Sequence, residues 1–427
     1  METETQIIKR KLTILSFLEY AVWGSYLTSV GVLLSSIGLG PRIGWFFAAQ
    51  GVISIFMPSL VGIIADRWGR PQRMLAICHL LCAAFMSLLG VTVIRGESDF
   101  SVLFTLYCAA VAFFMPTVSL SNAVSFSILR QHGLDPVVTF PPIRTWGTVG
   151  FIAAMWIVNF LHIKTSGFQF LQSAAFGILL ALFTLSLPMR KTGNAISRSF
   201  SSRIGLDALQ LLRRREMAMF FVFAMLISIC LQITNAYATP FLESFAVDVR
   251  YAGSWFVRNS IVLLSLSQIS EALCFLLIPF VMKRYGIKVT ILIAITAWMF
   301  RFALLGAGDP SGKVWMFILS MIVYGVAFDF FNIAGALYVE QNSDDGIKAS
   351  AQGLLMMVNN GIATIVGMLS SQTLLNVFTH TEKHGDKFYT LGDWSSFWYV
   401  CAAFALLVAV LFAILFQSPG KLESDGD

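Results

Sequence analysis

Asp329 is a carboxylate in a stretch that is otherwise free of charge. It sits in YGVAFDFFN (residues 324–332), inside an apolar run from about Val314 to Val339, flanked by Phe328, Phe330 and Phe331. A run of this length can cross a bilayer as a helix, and an Asp at its centre costs roughly 2.5–3.5 kcal/mol on insertion scales. A chain that carries this cost keeps the group turned to a protein interior or a watery cavity. The carboxylate then serves as a proton or substrate site, or as a hydrogen bond locking two helices. Ionisable residues within membranes favour the first.

Other polar residues inside apolar runs come at helical spacing. Gln232 and Asn235 stand three apart in LQITN, as do Gln268 and Glu271 in SQISE, and Asp329 and Asn332 repeat the interval. Arg144, Thr148 and Phe151, in FPPIRTWGTVGF, lie four and three apart. Residues so spaced share one helix face. A single Gln–Asn pair serves equally well as glue between helices. Four such faces mixing amides, two acids, an arginine and aromatic rings suit a neutral polar ring compound, with Phe151 or Phe328 available to stack. Glu19, four residues before Trp23, is a further intramembrane acid, open to a structural pair with an arginine or to a cavity role. His79 reads as a helix contact, Arg258 as a residue that snorkels outward, and Arg301 as a deep cation able to balance an acid. Asn359–Asn360 with Gly353, Gly361 and Gly367 form a small polar face suited to close packing.

The elements that must position these residues follow from composition. Of 427 residues 57% are hydrophobic and 12% charged, against about 25% charged in soluble domains, and the mean hydropathy is +0.76. The chain is therefore an integral membrane protein, helical because its apolar runs are long and continuous rather than short alternations. Twelve runs are expected, near 12–36, 43–64, 73–94, 101–128, 141–163, 167–188, 216–242, 253–282, 288–308, 314–339, 347–374 and 394–416. A basic segment, 189–215, separates residues 1–188 from 216–427, and its GLDALQLL stretch reads as a short amphipathic surface helix. Basic clusters before the first run, after the second and after the eighth place both termini and the central segment on the cytoplasmic side. The formal net charge of +6 belongs to these loops and does not signal nucleic-acid binding. Residues 376–393 read as a solvated connector. No cleavable signal peptide is evident. The six cysteines all fall inside apolar runs, with no disulfide framework or metal-ligand spacing, and no Walker lysine motif is present.

A short repeat joins the halves: Arg67-Trp68-Gly69 after the second run matches Arg284-Tyr285-Gly286 after the eighth, as a duplicated six-helix unit requires. The first copy, GIIADRWGR, resembles the loop signature of major facilitator transporters through Gly62, Asp66, Arg67, Gly69 and Arg70. In that family the loop latches the halves in one conformation. In the second copy Lys283 replaces the acid.

FPPIRTWGTVGF, LQITNAY, SQISEAL and YGVAFDFFNI, with SFLEYAVWGSYLT and LSMIVYG, are similar to the matching stretches of the bacterial nucleoside:proton symporter family, in order over nearly the whole chain. The resemblance implies an all-α membrane protein of twelve helices in two pseudo-symmetric six-helix bundles, and proton-driven nucleoside import by alternating access. It implies substrate-binding roles for Arg144, Thr148, Phe151, Gln232, Asn235, Gln268, Glu271, Tyr324, Phe328 and Asn332, and proton coupling by Asp329. Glu19 departs from the Gln of the family's type member and is a second coupling candidate. Nucleosides such as uridine or adenosine, protons and the lipid bilayer are the implied partners. No cofactor, metal or catalytic residue is expected, nor a nucleic-acid partner. A monomer in the bacterial inner membrane is implied. The alternatives are a transporter for a nucleobase, sugar or other small polar metabolite, and a nucleoside sensor that does not transport.

Overall fold

The computed structural model describes residues 4–68, 71–187, 206–344 and 347–416. The first run is broken. Helix α1 (Glu4–Gly24) gives way to turns over 25–29, and α2 (Val30–Ser36) resumes the crossing. The freed backbone is satisfied internally, Leu27 N–H donating to the Trp23 carbonyl and Ser25 Oγ to that of Ala21, as the absence of water in a bilayer demands. Five helices complete the first half: α3 (Ile43–Trp68), α4 (Pro71–Ile94), α5 (Phe100–Gln131), α6 (Pro136–Phe160) and α7 (Phe168–Leu185). A 3-10 turn over Leu206–Arg213 stands where an amphipathic α-helix was expected, with Ala208 and Leu211 buried and Leu209 and Leu212 exposed. The rest of the expected linker, 189–205, lies outside the described residues.

The second half contains α8 (Arg215–Ser244), α9 (Ser260–Cys274), α10 (Ile278–Ala307), α11 (Val314–Gln341), α12 (Lys348–Met356), α13 (Ala363–Phe378) and α14 (Trp394–Leu415). Among the described residues nine helical stretches are long and apolar enough to span a membrane. One of them, Ser260–Ala307, is 48 residues long. It folds back at Gly286, whose φ of 74° is a left-handed conformation that costs glycine little. It therefore supplies two crossings. Helix α1 carries Lys9, Arg10, Lys11 and Glu19, and α6 carries Pro141, Pro142 and Arg144; these polar and proline residues dilute both, and adding them completes twelve spans. Helices α12 and α13 form one span through a π-helical turn at Met357–Ile362.

Packing shows the twofold relation of the halves. Helix α3, second in its bundle, meets α13, fifth in the other, while α6, fifth, meets α9, second. Bonds between the bundles gather at the end opposite the termini. Thr239 Oγ1 donates to the Thr28 carbonyl at 2.6 Å, Gly44 N–H to Gln372 Oε1 at 2.6 Å, and Asn159 Nδ2 to Asn259 Oδ1 at 2.7 Å. Residues 379–392 depart from the expected connector: Thr379–His384 and Lys387–Gly392 pair as an antiparallel hairpin. It docks on the first half through Ser35 and Thr390, whose hydroxyls are 2.8 Å apart.

Candidate functional site

Helices α1 and α6 cross closely enough to fix the first-half part of the site. A Cβ on Gly150 would collide with the Phe17 carbonyl, and one on Gly24 with that of Phe151. This crossing lays Arg144 over the Tyr20 ring, its guanidinium carbon 3.7 Å from the centroid. Thr148 is half-buried one turn further on, and Phe151 is buried edge-on to Trp23, centroids 6.3 Å apart. The spacing in FPPIRTWGTVGF thus puts Arg144, Thr148 and Phe151 on one face, against α1.

Helix α6 also abuts α9, where Trp156 Nε1 donates to Ser265 Oγ at 2.9 Å. One turn along α9, Gln268 and Glu271 are half-buried. Glu271 lies in the electric field of Arg144 from the other half, and Asp329 lies in that of Glu271. On α11, Tyr324 and Phe328 stack with centroids 5.7 Å apart and planes 12° from parallel. Asp329 is 6% exposed, and its buried Oδ2 has no hydrogen-bond partner among the described residues. Asn332 is half-buried one turn on. Gln232 and Asn235 lie buried and half-buried on α8.

A division runs through the amides within the spans. Gln372 accepts from Gly44 N–H and from the Tyr237 hydroxyl, and donates to Asn376. Gln169 joins Ser29 to the Lys164 carbonyl, and Gln172 donates to Ser25 Oγ and the Ala154 carbonyl while its Oε1 bonds to no described residue. By contrast, the side chains of Gln232, Asn235, Gln268 and Asn332 make no hydrogen bond to any described residue. Gln232 is buried and the other three are half-buried, so the polar ends of this set are available to a ligand. Asn359 belongs with it: its Oδ1 is buried without a partner on the π-helical turn, which close packing alone does not explain.

Glu19 has the opposite character. Its Oε2 is 2.9 Å from His79 Nε2, and its Oε1 accepts from Thr117 Oγ1 at 2.6 Å. Glu19 is 1% exposed and His79 0%. The pair forms inside the first bundle, with histidine where an arginine was expected, and His79 is the helix contact it was read to be. The loop motif is only partly visible. Gly62 lies half-buried in α3 and the backbone of Asp66 and Arg67 ends that helix. The side chains of Asp66 and Arg67, and all of Gly69 and Arg70, lie outside the described residues.

Two features escaped the sequence. Lys164 Nζ and Glu243 Oε1 pair at 2.5 Å across the bundles, and Lys164 also reaches the Arg258 carbonyl at 2.9 Å. Their signal was a lone charge at a span end, which resembles any loop charge. Around them lies a cavity of about 400 Å³, lined by Lys164, Glu243, Arg258, Lys387 and Tyr389. It is separate from the Asp329 face. Tyr20 was also missed, since a tyrosine in an apolar helix gives no hint of the arginine above it. Among the described residues no group of three or more His, Cys, Asp or Glu side chains is placed to hold a metal.

Two six-helix bundles related by a twofold, with ionisable and amide groups on helix faces at their junction, define a secondary transporter of the major facilitator type. The chain belongs to the nucleoside H+ symporter family, whose model matches residues 6–421. It is 41% identical to the xanthosine permease of Escherichia coli K12 over 423 residues, covering 97% of this chain and 98% of the relative. It is 40% identical to the nucleoside permease NupG of the same organism over 415 residues, covering 96% of each. The crystal structure of NupG superposes with a TM-score of 0.86 at 37% identity, over 96% of this chain and all of that one. An inward-open structure of the xylose transporter XylE from E. coli matches at TM-score 0.62 and 12% identity, over 96% of each chain, and shows the fold alone. The protein is a proton-coupled importer of nucleosides and not an enzyme.

Proposed function

We propose that the nucleoside is held between the stacked Tyr324–Phe328 pair of α11 and the Arg144–Thr148–Phe151 face of α6, with Gln232, Asn235, Gln268, Glu271 and Asn332 bonding to base and ribose. The observation that carries this reading is the division among the amides: those on these faces bond to no described residue, whereas Gln169 and Gln372 use both oxygen and nitrogen. A neutral nucleoside offers an aromatic ring to stack and donors and acceptors to satisfy buried amides. Uridine and adenosine both have this chemistry, and so does xanthosine.

Asp329 is the coupling acid in this proposal. Protonation from outside neutralises it, the loaded carrier closes and turns inward, and the proton then leaves. No cofactor beyond the proton is needed. Glu19, held by His79 and Thr117, keeps a structural role. The loop Gly62–Arg70 biases the outward–inward equilibrium without touching cargo. The units are residues 1–188, the segment 189–215 and residues 216–427, with both termini cytoplasmic in a bacterial inner membrane and a monomer as the working form.

The test is uridine binding by Ala variants at Gln232, Asn235, Gln268 and Glu271. A site built to hydrogen-bond its ligand loses affinity when one partner is removed, so each is expected to weaken binding by about tenfold while remaining folded. Near-normal affinity in all four overturns the reading.

A further inference from the structure

Arg301 is a buried cation without an acid. It lies on α10, 1% exposed, and among the described residues no carboxylate pairs with it. One terminal nitrogen donates to the Ser320 carbonyl at 2.6 Å and approaches Ser267 Oγ at 3.4 Å. The other approaches Met321 Sδ at 3.7 Å, and Nε has no partner among the described residues. A charge at this depth is expensive, and two neutral oxygens and a thioether repay it poorly. The remaining neighbour is aromatic: the guanidinium carbon lies 4.8 Å from the centroid of Tyr324.

Three groups confine the Tyr324 ring. Arg301 attracts its π system, Trp298 meets it edge-on with planes at 88°, and Phe328 stacks on it at 12°. Tyr324 and Arg301 are both buried, while Phe328 is only half-buried. The order is therefore Arg301 deepest, then Tyr324, then Phe328. Cation–π attraction is strongest where the cation has lost its water, as here, and it depends on the position of the ring. The same guanidinium grips the α11 backbone at Ser320, and Ser320 Oγ returns a bond to the Arg301 carbonyl at 3.0 Å. One side chain thus sets both the height of α11 against α10 and the place of its aromatic pair.

We propose that Arg301 is a positioning residue for the nucleobase, acting through Tyr324 to hold Phe328 at the angle at which it stacks the cargo ring. This rests on the reading of Phe328 as a stacking surface. Lysine keeps a cation near Tyr324 but has neither the planar face nor the second arm. Methionine fills the space without charge.

The test uses the full-length carrier in liposomes and tritiated uridine, with each variant checked for a monodisperse profile before reconstitution. Arg301→Met is expected to raise KM about tenfold with less than about a twofold change in maximal rate, the pattern of lost binding rather than lost turnover. Arg301→Lys is expected to recover most of this, to within about threefold of the original KM. Arg301→Met combined with Phe328→Ala is expected to be no worse than Phe328→Ala alone, because residues acting through one another are not additive. An unchanged KM in Arg301→Met, or multiplied effects in the double variant, overturns the inference. If Arg301→Met fails to insert, Arg301→Lys is read against Phe328→Ala in the same way: a raised KM that disappears in the double variant supports it, and no rise or an additive one overturns it. A Phe328→Ala carrier with unaltered KM overturns the reading of the site itself. A raised KM there beside an unaffected Arg301→Met overturns only the role of Arg301.

Discussion

The two halves bury acids in opposite ways. In the first, Glu19 at 1% exposure has a partner on each oxygen, His79 and Thr117. In the second, Asp329 at 6% exposure has an oxygen with none, and Glu271 bonds to no described residue. Similar burial therefore means different things. A satisfied acid joins helices and resists change, whereas an unsatisfied one retains a cost that a proton or a ligand can relieve. The first half provides a rigid frame and brings the cation Arg144 near Glu271. The second half provides the groups free to exchange partners.

The largest effect that would break this comparison is expected at Asp329. Asparagine resembles the neutral acid in shape but cannot take up or release a proton. Asp329→Asn is therefore expected to retain uridine binding and some exchange while losing accumulation driven by an inward proton gradient. Vesicle uptake with and without a protonophore measures this. A variant that still concentrates uridine, with the protonophore still abolishing it, removes Asp329 from coupling and leaves the halves less different than they look.

Next in size is Glu19. Breaking a buried pair from one side costs about 3–5 kcal/mol, because the other partner is stranded. Glu19→Leu strands His79, whose Nδ1 already lacks a partner, and is expected to lower the thermal midpoint in detergent by many degrees. Glu19→Gln keeps an oxygen for Thr117 and an amide for His79. It is expected to cost about 1 kcal/mol or less and to leave proton-driven uptake intact. Loss of coupling in Glu19→Gln, with stability unchanged, would move a coupling role into the first half.

Legibility in the sequence followed the range of the interaction. The spans could be read because a bilayer imposes length and apolarity on each one separately. The faces of α6, α8, α9 and α11 could be read because three- and four-residue spacing is a property of one helix. The reversal at Gly286 was marked by the repeat. The partner of Glu19, sixty residues away on α4, and that of Lys164, on α8, could not be read, since nothing local selects them. The hairpin is a different case. Gly385, with φ 63°, and Asp386 form a two-residue turn between strands that contain Phe388 and Tyr389, a usable hairpin signal. The charge of THTEKH hid it among the traits of a solvated loop. Its docking on Ser35 depends on the first half and was out of reach.

The smallest effect concerns features the halves share. Asp99 caps α5, accepting from Ser101 N–H at 2.9 Å and Val102 N–H at 3.1 Å, and Asp393 caps α14, accepting from Ser396 N–H at 2.9 Å. Both sit outside the spans at helix N-termini, where a carboxylate satisfies free backbone donors and the positive end of the helix dipole. Bonds from Ser396 hold the Asp393 carboxyl below its ordinary 3.8. A depressed value means that the stabilisation is fully present above the ordinary carboxylate range and is lost as pH falls through the lower folded value. Asp393→Ala is therefore expected to lower the thermal midpoint slightly at neutral pH and to leave uridine KM unchanged. The difference from the parent carrier should shrink as pH drops below about 4. Asp393→Asn, which still accepts from Ser396, should lie between the two and show less dependence on pH. Thermal midpoints in detergent measured from neutral pH down to about 3 check both. A gap that is constant with pH would mean that the carboxylate's charge contributes nothing at this cap, and that the shape of the side chain alone holds the start of α14.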